Sequence, residues 1–403
     1  MSKRTEGKKL MPRLRFPEFR DAGPWEAKRL GEVCDVLQGY GFPERLQGKK
    51  HGKYPFCKVS DITNAVSNAG GHIREALNYI DDEDVEELRA KPIPKGVTIF
   101  AKIGEALRLN KRAFVETECL IDNNVVGLKG RNDQAIDYFV FYLSQKIDLN
   151  RHCGGAVPSV NKSTLQAIKI CVPALQEQQK IADCLSSLDE VIELEAKKLE
   201  ALKAHKKGLM QQLFPREGET VPRLRFPEFR DAGPWEVKRL GEVIELAYGA
   251  ALPESRRRVG TIPVLGSNGI VGYHNEPLTR GPTIVIGRKG SAGEVVWVEE
   301  DCFPIDTTFY VQFRSPRDDP RFVYFLLVML NLPELARAEG VPGLNRNDVY
   351  SIKVGIPRSE EQQKIADCLS SLDEVIALEA QRLDALKAHK KGLMQRLFPQ
   401  EEV

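Results

Sequence analysis

Two stretches of this chain are written twice. RLRFPEFRDAGPWE occupies Arg13–Glu26 and returns unchanged at Arg223–Glu236, and EQQKIADCLSSLDEVI occupies Glu177–Ile192 and returns at Glu361–Ile376. The chain is therefore a tandem duplication of one cassette, roughly 12–215 and 222–399, with preserved ends and divergent middles. Repeat offsets of 210 at the front and 184 at the back make the two middles differ by 26 residues. Whatever one half folds into, the other must fold into as well.

A length of 403 residues suits two halves of two parts each. The net charge is only +2. Residues 34–160 carry 17 basic and 17 acidic side chains, and 244–345 carry 10 and 12. Neither middle is a basic domain, so any nucleic-acid surface must be local. Eight cysteines include no Cys-x-x-Cys pair and read as free thiols of a reducing cytoplasm. The first residues are polar and basic, without the apolar run of a signal peptide. The longest apolar stretch, Phe322–Leu332, is too short to span a bilayer. A soluble cytoplasmic protein is expected.

From Glu177 the sequence reads as one helix of about 36 residues, stopped by Pro215. Its seam is Ile181, Leu185, Leu188, Ile192, Leu199, Leu202, Leu209 and Leu213; the copy has Ile365, Leu369, Leu372, Ile376, Leu383, Leu386, Leu393 and Leu397. Spacings alternating four and three over five heptads predict a coiled coil. Two equivalent halves pair most simply about a pseudo-two-fold axis, which makes the helices antiparallel. Glu195 and Glu379 interrupt the seam at copied positions and would disfavour slipped registers. Val191, Leu194 and Met210 lie off the seam and could form a second apolar stripe for a partner. RLRFPEFR, with Leu14, Phe16 and Phe19 around Pro17, suggests an anchoring strand or loop.

The middles share a skeleton. Tyr40-Gly41 precedes Pro55–Ser60 as Tyr248-Gly249 precedes Pro263–Asn268, and Ile99–Gly104 matches Val285–Gly290. Asp122-Asn123-Asn124 matches Asp306-Thr307-Thr308, and Val157–Lys162 matches Val341–Arg346. Strands are predicted at Thr283–Ile286, Glu294–Val298 and Thr308–Phe313, and helices at Asp137–Gln145 and Phe322–Leu330. Each middle is thus an α/β module with a curved sheet.

Candidate ligand contacts lie in the loops. Gly287–Gly293 carries Arg288, Lys289 and Ser291 between glycines that permit close backbone approach. Arg256, Arg257 and Arg258, the run Lys49-Lys50-His51 with Lys53, and Arg108 with Lys111 and Arg112 suit phosphate. Ser267, Asn268, Tyr273 and His274 offer amide, hydroxyl and aromatic groups for base edges, and Lys58, Ser60 and Lys102 stand on the matching skeleton of the first middle. No Walker loop, His-Glu-x-x-His, Gly-x-Ser-x-Gly or Cys/His metal spacing occurs, and Asp81–Asp84 reads as a solvated helix start. No catalytic residue, metal ligand or cofactor contact is expected in this chain.

The openings RFPEF…W-x-x-x-R-L-G-E, the E-Q-Q-K-I-A-D-C-L-S-S-L-D helix after each module and the closing G-L-M-Q-x-L-F together resemble the specificity subunit of type I restriction–modification systems. The resemblance runs through nearly the whole chain, twice over. It implies two α/β target-recognition domains related by pseudo-two-fold symmetry and separated by an antiparallel coiled coil. On that plan, 1–33 holds the N-terminus and first frame segment, 34–170 the first recognition domain and 171–215 the first spacer helix. Residues 216–243 are linker and second frame segment, 244–354 the second recognition domain and 355–403 the second spacer helix. Each domain would read one half of an asymmetric bipartite DNA site, while the helices set the spacing and dock two methyltransferase subunits. S-adenosylmethionine, ATP and magnesium would then belong to those subunits and to restriction/translocase subunits. A coiled-coil scaffold with two protein- or ligand-binding modules is the alternative.

Overall fold

The computed structural model describes residues 10–68, 70–337 and 343–399. Val341 and Pro342 of the skeleton match lie outside the described residues. The chain divides into two compact units, one running to Lys197 and resuming at Gln381, the other spanning Lys198–Ala380. The boundary cuts both long helices, Leu175–Leu213 and Ser359–Leu397, each of 39 residues. The spacer helices are therefore not separate domains: every unit takes half of each.

The strands of the first unit are β1 (Glu26–Arg29), β2 (Cys34–Gln38), β3 (Tyr54–Cys57), β4 (His72–Ile73) and β5 (Tyr79–Ile80), then β6 (Thr98–Ala101), β7 (Ala113–Val115), β8 (Leu120–Ile121), β9 (Val125–Gly130) and β10 (Lys169–Val172). They form a five-stranded sheet ordered β2-β9-β6-β7-β4, a three-stranded sheet β5-β3-β8 and the pair β1-β10. Helix Asp137–Lys146 seals the larger sheet with Phe139, Phe141 and Tyr142, all buried. Its run of buried residues, Phe139–Leu143, is the apolar stretch that marks it in the sequence.

The second unit repeats the plan with β11 (Glu236–Arg239), β12 (Ile244–Tyr248), β13 (Ile262–Gly266), β14 (Gly269–His274) and β15 (Thr283–Gly287), followed by β16 (Val295–Val298), β17 (Phe303–Pro304), β18 (Thr308–Phe313) and β19 (Lys353–Ile356). Sheets β12-β18-β15-β16 and β14-β13-β17 and the pair β11-β19 result. Helix Pro320–Met329 stands where Asp137–Lys146 does.

The ladders correct two of the skeleton matches. Cys34 pairs with Gly130 as Ile244 pairs with Phe313, and Gln38 with Val126 as Tyr248 with Phe309. Tyr248 is thus the counterpart of Gln38, not of Tyr40. The parallel bridges Tyr40–Asp122 and Ala250–Ile305 likewise match Asp122 to Ile305, one residue away from Asp306.

The repeated stretches touch each other. Arg15 grips Glu177 with Nε–Oε1 at 2.8 Å and a second bond to Oε2 at 2.6 Å, while Trp25 Nε1 donates to Oε1 at 3.3 Å. Arg225, Glu361 and Trp235 repeat this at 2.7, 2.7 and 3.2 Å. A buried carboxylate is tolerated only when so fully paired, so neither stretch can drift without the other. The anchoring role of RLRFPEFR takes the form of a 3-10 turn, Pro17–Phe19, with Leu14 and Phe16 packed on the core and Leu14 N bonded to Arg396 O at 2.9 Å.

Within each unit the two helix halves run antiparallel. In the first, Asp189 meets Lys390 and Glu195 meets Arg382 at 3.1 Å; in the second, Asp373 meets Lys206 and Glu379 meets Lys198 at 2.5 Å. The seam glutamates are thus each matched by a cation of the facing helix. Three assignments along these helices change, one of them at the closing positions Leu209, Leu213, Leu393 and Leu397, which pack in the domain cores rather than in the seam. Ile181, Leu185, Ile365 and Leu369 are buried in the domain cores, so the first turns of each helix cover their own module. Leu188, Ile192, Leu199 and Leu202 with Leu372, Ile376, Leu383 and Leu386 form the seam proper, Ile192, Leu199 and Leu383 buried and the rest half-buried. Met210 is buried in the second core, so the outer stripe reduces to Val191 and Leu194, exposed together with their copies Val375 and Leu378.

Candidate nucleic-acid interface

In the second unit, β13 and β14 form a hairpin whose turn, Ser267-Asn268, meets the loop Gly287–Gly293 through Ser291 Oγ to Asn268 Oδ1 at 3.2 Å. Two of the loop glycines are needed for close backbone packing. A Cβ on Gly287 would lie 2.1 Å from Ser291 O, and one on Gly293 would lie 2.4 Å from Leu332 C. Gly287 lets the loop fold on itself and Gly293 lets it pack against the start of helix Leu332–Arg337, so no ligand has to be invoked for either. Lys289 is exposed and bridges to Gly343.

Arg288 lies over the Tyr248 ring at 5.0 Å and donates to Asp306 O at 3.0 Å. Arg346, which the sequence reading left out, lies over the same ring at 5.1 Å. Stacking on an aromatic face holds a guanidinium planar and ready for an anion or a base edge. Tyr248 is half exposed at the end of β12, so this group faces solvent.

The rest of the second-unit candidates separate. Arg256 is exposed in a 3-10 turn, and Arg258 reaches Glu276 at 3.9 Å. Arg257 folds back on β14 and donates to Val271 O at 2.7 Å. Tyr273 is exposed beside Ile270 and Val271, which makes this face of the hairpin apolar and open. His274 turns the other way: it is buried, and its Nδ1 accepts from Arg258 N at 3.0 Å, so it is withdrawn from any ligand. Ile270 and Val271 escaped the sequence reading because exposed aliphatic side chains carry no polar signal.

In the first unit Lys102 Nζ donates to Gln38 Oε1 at 3.0 Å, the same pairing of positions as Arg288 with Tyr248. Lys58 donates to Gln47 Oε1 at 3.1 Å and lies over Phe42, and Ser60 is exposed in the first turn of helix Val59–Asn68. Arg108 is exposed near Glu105, and Lys111 is half-buried. Arg112 is not presented at all. It is buried over the Phe100 ring at 4.5 Å and donates to the carbonyls of Lys111 and Ile147; burial, only partly opposed by Asp148, lowers its pKa to about 9. The run Lys49–Lys53 is largely neutralised, since Lys49 pairs with Asp81 and Lys53 with Asp82 at 2.7 Å. Asp81 caps helix Asp82–Glu87, in keeping with its reading as a helix start.

No group of three or more His, Cys, Asp or Glu among the described residues could hold a metal ion, and none of their helices is long and apolar enough to cross a membrane. Cys34, Cys57, Cys119 and Cys302 are buried, and burial pushes the Cys34 thiol up to about 12.

The family model for the type I restriction modification DNA specificity domain matches residues 23–204 and 233–388. The specificity subunit of the type I restriction enzyme MjaVIII of Methanocaldococcus jannaschii is 23% identical, covering 98% of this chain and 96% of its own length. The putative MjaX specificity subunit of the same organism is 25% identical over 93% and 92%. Among solved structures, the type I restriction–modification S subunit from M. genitalium superposes with a TM-score of 0.68 at 18% identity, covering 97% of this chain and all of that one. A chain from a type I system described for its complex assembly and conformational transition gives 0.54 at 19% identity, covering 93% and 97%.

Proposed function

This chain belongs to the type I restriction modification DNA specificity family, and we propose from that premise that its two units read the two halves of an asymmetric bipartite DNA site. The observation that carries the reading is one backbone plan bearing two unlike surfaces. The second unit offers an open hairpin with Ile270, Val271 and Tyr273, where the first has helix Val59–Asn68 with Lys58 and Ser60. A shared frame with different readers suits two different words in one duplex. A side chain that bonds a base edge in the major groove through two atoms discriminates by about 1–3 kcal/mol, so a few such contacts per unit suffice. Exposed apolar groups such as Ile270 suit thymine methyls.

On this reading the chain performs no chemistry. Two methyltransferase subunits dock on it, and Val191 with Leu194 and their copies Val375 with Leu378 are the matched apolar footholds. S-adenosylmethionine, ATP and magnesium are bound by the methyltransferase and restriction/translocase subunits. The long helices set the separation of the half-sites. A helix turn rises about 5.4 Å against 3.4 Å per base pair, so four residues inserted into both helices lengthen the spacer by one or two base pairs.

The test is a genome-wide map of methylated sites in cells expressing the chain with its methyltransferase. A two-part motif whose spacer grows in the insertion variant is expected. A continuous motif, or an unchanged spacer, overturns the reading, and failure to recover any methyltransferase with the chain leaves the scaffold alternative standing.

A further inference from the structure

Comparison of the two units separates contacts that must be shared from contacts that must differ. If each unit reads its own sequence, base-contacting residues diverge between them, whereas phosphate contacts that position the duplex fall at common backbone places. One such place recurs. In the first unit Val160 N donates to Lys102 O at 2.9 Å, and two residues on stands Lys162. In the second, Leu344 N donates to Arg288 O at 2.9 Å, and two residues on stands Arg346. Lys102 and Arg288 both adjoin the last residue of their first sheet strand, Gln38 and Tyr248.

We propose that Lys102 with Lys162, and Arg288 with Arg346, are paired DNA-phosphate contacts, one pair per unit, and that they position the duplex without reading its sequence. The inference rests on the DNA-reading function proposed above. Three observations favour it. First, each position is basic in both units although its surroundings have diverged. Second, lysine at both positions in one unit and arginine at both in the other is a tolerable exchange for a phosphate contact. It is not tolerable for a guanidinium bonding a base edge through two atoms. Third, Arg288 and Arg346 both lie over the Tyr248 ring, at 5.0 and 5.1 Å, and among the described residues neither makes a salt bridge to a carboxylate. A phosphate supplies the counter-charge that both lack. Tyr248 is then a platform that fixes the two guanidinium groups, and sequence reading falls to the unlike surfaces nearby.

The experiment uses the full chain with its methyltransferase added, bound to a duplex carrying the methylated motif and to one with both half-sites scrambled, between 50 and 200 mM salt. Each phosphate contact contributes about 0.9 to the slope of log affinity against log salt. The R288A/R346A double variant should weaken binding to both duplexes by the same factor and flatten the slope by about 1.8. The advantage of the native chain should therefore shrink about twelvefold across that range. K102A/K162A should do the same, and R288K/R346K should restore the slope. The proposal is overturned if the alanine pair weakens only the cognate duplex, if the slope is unchanged in a variant that keeps its thermal unfolding midpoint, or if the lysine pair fails to restore it. A native chain that prefers the motif while these variants behave as base readers overturns this inference alone. A native chain that does not distinguish the two duplexes overturns the reading on which it rests.

Discussion

Replacing Arg15 by alanine tests the clasp between the repeated stretches. The Arg15 and Glu177 side chains are 7% and 2% exposed. Glu177 accepts two bonds from the guanidinium and a longer one from Trp25 Nε1. Without Arg15 the carboxylate keeps only the indole, and a buried charge stripped of its counter-ion costs about 3–5 kcal/mol. Arg15 also donates to the carbonyls of Ala22 and Gly23, but these face solvent and water replaces the donor at little cost. We therefore expect R15A to destabilise the first unit by about 3–5 kcal/mol in urea denaturation, and R225A to cost the second unit about the same. Removing both charges in R15M/E177M leaves an apolar contact of similar volume, so the double variant should recover most of the loss. Hydrogen exchange along residues 14–26 and the first turns of helix Leu175–Leu213 reports the first unit separately. The reasoning is refuted if R15A and R225A each cost less than about 1 kcal/mol, or if R15M/E177M is no more stable than R15A.

Arg112 should behave as a structural residue: R112A lowers stability by about 2–4 kcal/mol through its lost carbonyl bonds and the void over Phe100, while the salt slope of DNA binding stays as in the native chain. Glu193 is held down at about 2 by hydrogen bonds from Arg74 and then Lys197. A carboxylate with a depressed folded pKa contributes its stability above the unfolded value near 4.5 and loses it as pH falls through about 2. Acid titration of R74A should accordingly show a shallower loss across that window. In L194R/L378R the outer helix footholds become charged, and gel filtration with the methyltransferase should show the complex lost while the circular dichroism melt is retained.

Sequence patterning located the elements better than it located their partners. The strand Thr308–Phe313 and the helix from Asp137 are read from their apolar runs, and both stand where those runs place them. Equivalence between the two middles was harder to see. Asp122-Asn123-Asn124 and Asp306-Thr307-Thr308 look alike as strings, yet the ladders put Asp122 against Ile305, because the resemblance of two polar turns carries no information about strand register. The same limit applies to loop cations. Lys111-Arg112 reads as a solvated pair, and only the Phe100 ring and the Ile147 carbonyl, both distant in sequence, reveal that the second member is interior. The Arg346 contact was invisible for a like reason, since it is made by a strand end nearly a hundred residues away.

The division of the helices between units also governs the order in which the protein can be completed. The second unit is made from the continuous stretch Lys198–Ala380, and its aromatic plug, Phe214 against Trp235 and Phe322, has been synthesised well before the chain ends. The first unit takes its plug from the other terminus: Phe398 packs on Trp25 and Phe139, and Leu397 lies in the same core. A nascent chain commonly folds its leading domain first. Here the leading module cannot close its core until Leu397 and Phe398 have been made, and a truncation ahead of them is expected to open the core of the first unit.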